Sequence, residues 1–171
     1  MDWSKAKTII IIALLVTNLI LGGFLVNDHM RDVNTEKEAA ASAESYLAAR
    51  GITLSCRIPA SATRLPVLFV DFEEDAVKKD LFYKGYPLCI SGESEIQAAS
   101  LHAGDVKAKV CGAAAAVIRA VAKNDAIREI REIRLVYWVD RSGYTEAGED
   151  TAFPAWYIDT DAGTFYIEAL N

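Results

Sequence analysis

Apolar and polar positions alternate in different ways along the chain, and the first pattern is the simplest. From Thr8 to Val26 the run TIIIIALLVTNLILGGFLV carries no charge. As a helix, these residues extend about 28 Å at roughly 1.5 Å per residue, close to the hydrocarbon thickness of a bilayer. A cleavable leader has a shorter apolar region, about 7 to 15 residues, that ends near a small-x-small site. The nearest such site, Ala41-Ser42-Ala43, lies far downstream, and no lipobox follows because the first cysteine is Cys56. The pattern therefore predicts an uncleaved transmembrane signal anchor over 8–26, a tail over 1–7 and a polar tether over 27–34.

Beyond the tether the period changes. Thr35 and Glu38 form a capping box, and Ala39, Ala43, Tyr46, Leu47 and Arg50 recur at helical spacing until Gly51. This predicts a helix over 35–50 with a left-handed stop. Ile52 to Ile58 alternates loosely, Pro59 to Arg64 is turn-like, and PVLFVDF from Pro66 to Phe72 suits a strand. The acidic stretch from Glu73 to Asp80 is helical or irregular. From Asp105 to Asn124 the Ala-rich segment DVKAKVCGAAAAVIRAVAKN sets Val106, Val110, Ala113, Ala114, Val117, Ile118 and Val121 on one helical face. A core helix is expected there, with Cys111 packed as a small hydrophobe.

The last third alternates with period two. Ile127 to Asp140 ends in RLVYWVD, and AWYIDT and TFYIEAL flank Asp161-Ala162-Gly163 as a hairpin. On that hairpin Trp156 and Ile158 face one side and Tyr157 the other, while Phe165 and Ile167 alternate with Tyr166 and Glu168. The predicted fold class is α+β: a transmembrane helix, then an antiparallel sheet packed with about two helices in one outer domain over 35–171.

Charge sets the orientation and narrows the partners. Lys5 and Lys7 precede the span, while Asp28, Arg31 and Asp32 after it nearly cancel, so the amino terminus is expected in the cytoplasm and the domain outside. Among 171 residues, 18 Lys and Arg stand against 24 Asp and Glu, a net −6 that suits neither a phosphate backbone nor nucleic acid generally. An apolar share of 52% argues for a folded core. With 3 Cys in no C-x-x-C pair and 2 His, soft ligands are few, and neither metal nor cofactor is expected.

Candidate chemistry is correspondingly sparse. Asp159, Asp161 and Gly163 resemble the opening of a calcium loop, but the further oxygen ligands are missing and a plain turn is favoured. His102 and His29 have no evident nucleophile and orienting group, so a surface or capping role is expected for each. The carboxylates Glu73, Glu74 and Asp75 suit a solvated loop. Cys56 and Cys89 fall in the same domain, where pairing and free thiols both remain open. No phosphate loop or nucleophile elbow is present, and no catalytic residue is assigned. Within the span, Thr17, Asn18, Gly22 and Gly23 could receive a partner helix, or Thr17 could bond its own backbone with the glycines near the interface.

The opening MDWSKAKT, running directly into the apolar span, resembles the start of the YycI-type regulators, single-pass membrane proteins of Gram-positive bacteria. The resemblance continues through Arg50-Gly51-Ile52, Leu65-Pro66 and the closing AWYIDTDAGTFYIEAL, about half of the chain, and is absent between Glu73 and Asp105. It implies a protein that contacts a cell-wall-related sensor histidine kinase of a two-component system, beside a YycH-type sister protein, and modulates it. Asp2, Trp3, Ser4, Lys5 and Lys7 match the family's opening. Trp3 would sit among the headgroups and Lys5 and Lys7 at the anionic inner surface. The alternative is a membrane-anchored module that binds a peptide or wall fragment in a groove between sheet and helix.

Overall fold

The computed structural model describes residues 3–60, 63–74, 76–77, 79–92, 97–142 and 146–170, with the side chains of 3–6, 8 and 9 outside the description. The element order is α1 (Trp3–Ala49), β1 (Thr53–Leu54), β2 (Arg64–Glu73), β3 (Phe82–Tyr83), β4 (Tyr86–Ser91), β5 (Gln97–Lys109), α2 (Ala113–Lys123), β6 (Glu129–Asp140), β7 (Gly148–Thr160) and β8 (Gly163–Glu168). The chain divides into two compact units, 1–35 and 36–171.

The fold is α+β, and its sheet is mostly antiparallel. The strands run β3-β4-β6-β7-β2-β5, with β1 added to β6 and β8 to β7. Among the described strands only β4 and β1 pair in parallel, both with β6. Strand β7 organises the sheet: its first half pairs with β2, Leu68 opposite Ala152, and its second half lies between β6 and β8, Trp156 opposite Leu135 and Ile167. One core collects Leu68, Val70, Trp156 and Ile158 from the sheet with Ala43 and Leu47 of α1 and Ala116, Val117 and Val121 of α2. The alternation expected for the closing hairpin holds, since Trp156, Ile158 and Ile167 are buried while Tyr157 and Tyr166 are half-exposed on the other face.

Two local expectations are corrected. The tether at Asn27–Asn34 is helical and continuous within α1, and the Thr35 hydroxyl donates to the Arg31 carbonyl at 2.9 Å instead of capping a new helix. The segment NDHMRDVN holds neither Pro nor Gly, so each residue costs only a fraction of a kcal/mol in a helix already formed on both sides. The helix ends where expected: Gly51 takes φ 71° and the Ile52 amide donates to the Leu47 carbonyl.

The predicted helix over Asp105–Asn124 is half strand. Residues up to Lys109 belong to β5, where Ala108 lies opposite Leu65 and Lys107 opposite Pro66, and Val106 is exposed. Available ladder partners on β2 outweigh a modest helical preference. Helix α2 starts only after Gly112, whose missing Cβ makes room for the Glu36 carboxylate. A carboxylate at that end is favoured by the helix dipole. The pairing left open for cysteine is resolved: Cys56, Cys89 and Cys111 are all free thiols.

The turn between β7 and β8 explains Asp161. Its carboxylate accepts the amides of Arg128 and Glu129 at 2.9 and 3.0 Å, tying the hairpin to the start of β6. The two backbone N–H groups hold its pKa below the usual aspartate range. The ionised form is the bonded one, so this stabilisation is complete at neutral pH and lost as pH falls below about 4. Asp161→Ala is expected to lower the thermal midpoint at pH 7 and to flatten its acid dependence; a variant with the wild-type acid profile would refute the role.

Candidate functional site

Two regions hold the residues of interest, and the first is the apolar half of α1. Its side chains from Ile10 to Val26 are exposed, and the helix is long and apolar enough to cross a membrane. Thr17 donates to the Ala13 carbonyl at 2.9 Å, so its hydroxyl is satisfied within the helix. At about 100° per residue, Asn18 and Gly22 share one stripe, whereas Thr17 and Gly23 lie on others. Gly23 instead belongs to a shallow notch with Ile20, Phe24 and Asn27. Among the described residues nothing lies within 4 Å of the position of a Cβ at Gly22 or Gly23, so both remain open for close approach by another helix. Lys7 is exposed, while Asp2 and the side chains of Trp3, Ser4 and Lys5 lie outside the described residues.

The second region is on the sheet face turned away from the core. Because Asp71 pairs with Ser100 on β5 and with Glu149 on β7, these three residues project on one side, and His102 follows Ser100 by two residues on the same side. His102 Nε2 lies 3.3 Å from a Glu149 carboxylate oxygen, and Nδ1 lies 3.8 Å from Asp71 Oδ2. Two further contacts fix the group: the Ser100 hydroxyl donates to Asp71, and the Phe69 ring stacks on the imidazole with centroids 5.5 Å apart. All three titratable side chains remain about half-exposed.

Next to the cluster runs an open groove of about 560 Å³, lined by Val67, Phe69, Gly104, Val106 and Ala108 with His102 and Glu149 at one end. Gly104 keeps it clear, since a Cβ there would stand 3.1 Å from the Val67 carbonyl oxygen and 3.4 Å from the Phe69 ring. The groove lies along β2 and β5.

The same sheet face carries an aromatic layer farther along. Trp138 of β6 and Tyr166 of β8 stack at 5.6 Å on either side of β7, and Val136 and Ala155 between them are fully buried. Arg134 lies over the Tyr157 ring at 4.4 Å. Burial, with Cys89 and Tyr157 adjoining, pushes the Tyr166 hydroxyl up to about 12.

The cluster has no counterpart among the candidates read from the sequence. His102 was expected before a helix and stands instead in the middle of a strand; Asp71 and Glu149 drew no attention. Residues 71, 102 and 149 have no linear motif in common, and only the β7-β2-β5 order brings them together. No protein-family model matches the chain, and no curated protein matches it.

Proposed function

We propose that the protein is a single-pass membrane regulator: the apolar half of α1 anchors it with the amino terminus in the cytoplasm, and the α+β domain outside acts on a partner membrane protein. The observation that carries this reading is the exposed apolar stretch of α1 in a chain whose outer domain builds a core of its own. Such a surface is unfavourable in water and satisfied in lipid or against another helix. By its resemblance to the YycI-type regulators, the partner is a sensor histidine kinase with a YycH-type sister protein. Shifting a kinase between two states needs a difference in binding of only about 1 to 3 kcal/mol, within reach of helix contacts and one domain surface.

Asn18 and Gly22 supply the stripe best suited to helix pairing. Replacing both by Leu in the full chain is expected to reduce co-purification of the kinase from detergent-solubilised membranes several-fold, at about 0.6 to 2 kcal/mol for such contacts. Undiminished recovery would exclude this stripe as the contact.

A further inference from the structure

We propose that Asp71, His102 and Glu149 form an open site for a divalent transition-metal ion, with zinc as the fitting metal. Each offers one ligand atom, and the three atoms lie within 4.8 Å of one another. Zinc held at about 2.0 to 2.2 Å by nitrogen and oxygen ligands sets neighbouring ligands about 3.4 Å apart, and half-exposed side chains reach that spacing by small rotations. Two carboxylates and a neutral imidazole supply two negative charges to a dication. One nitrogen with two carboxylate oxygens is a borderline donor set, better matched to zinc than to calcium or magnesium.

The surroundings resemble a metal's outer sphere. Ser100 donates to Asp71 and Phe69 stacks on His102, so two of the three ligands are oriented before any ion arrives. The half-exposed cluster leaves coordination positions for water or for a group lying in the adjoining groove. An ion here would join the edge strand β5 to β7 across β2. The site is independent of the membrane reading, because all three ligands belong to the unit over 36–171.

The test uses the full chain in detergent, stripped with chelator and titrated with zinc against a chromophoric competitor. One equivalent is expected to bind at micromolar concentration or tighter. His102→Ala, Asp71→Asn and Glu149→Gln are each expected to weaken binding at least tenfold, and Ser100→Ala by about tenfold through the outer sphere. Cobalt in place of zinc is expected to show d–d bands without thiolate charge transfer, since no cysteine takes part. Three outcomes would each overturn the proposal: no zinc bound below millimolar concentration, wild-type affinity in His102→Ala, or a thiolate band. Thermal melts of the metal-free variants verify that they remain folded, and the Ser100→Ala titration decides alone if a ligand variant does not.

Discussion

Trp156→Ala is expected to cost about 3 to 5 kcal/mol, a large share of the roughly 5 to 15 kcal/mol that holds a domain of this size folded. Trp156 is 1% exposed and stands in the middle of β7, flanked by Leu135 and Ile167 on the neighbouring strands. Its indole N–H donates to the Cys111 carbonyl at 2.8 Å, at the joint where β5 gives way to α2. The side of α2 that packs inward is made of Ala113, Ala114, Ala116, Val117, Ala120 and Val121, residues too small to close the space an indole leaves. Truncation therefore creates a cavity and leaves a buried carbonyl unsatisfied. Trp156→Phe keeps a six-membered ring in the core but loses the hydrogen bond and the volume of the pyrrole ring, and it should cost less than Trp156→Ala, about 1 to 3 kcal/mol. Denaturant unfolding of the three proteins in the same detergent checks the order; equal midpoints for wild type and Trp156→Ala would show that the indole is not the centre of the core.

The same residue shows how far the sequence is legible. Strict alternation around Trp156 and Ile158 is a local signal with one strong reading, and the hairpin was predicted with its faces correct. The run Pro66–Phe72 was recognisable for the same reason, and it lies within β2. Asp105–Lys109 was misread because valines at 106 and 110 fit a helical period as well as an alternating one. Only the strand opposite, far away in sequence, decides between them. The start expected at Thr35 differs for another reason: polar residues alone do not end a helix, which stops where a breaker or a better partner exists, and 27–34 offers neither. The cluster of Asp71, His102 and Glu149 was not visible at all. Its residues owe their proximity to the long β7 crossing from β6 to β2, a topological fact with no trace in any short window.

Replacing Leu15 and Leu19 together by Arg is expected to abolish stable membrane association. Both side chains are exposed on α1, at 57% and 73%, and both lie near the centre of the 8–26 run, where an Arg is too far from either surface to reach it cheaply. Each Arg at the middle of a spanning helix costs about 2.5 to 3.5 kcal/mol on insertion scales, so the pair opposes insertion by about 5 to 7 kcal/mol. The wild-type chain should remain in the membrane pellet after an alkaline carbonate wash, and the double Arg variant should appear in the supernatant or be lost to proteolysis. Leu15→Ala with Leu19→Ala is the matched control: it shortens the same side chains, keeps them apolar, and should stay in the pellet. The core over 36–171 contains neither position, so folding of the domain should not change. A double Arg variant that resists the wash as well as the wild type would mean that the apolar helix is not what holds the protein to the bilayer, and the regulator reading would lose its anchor.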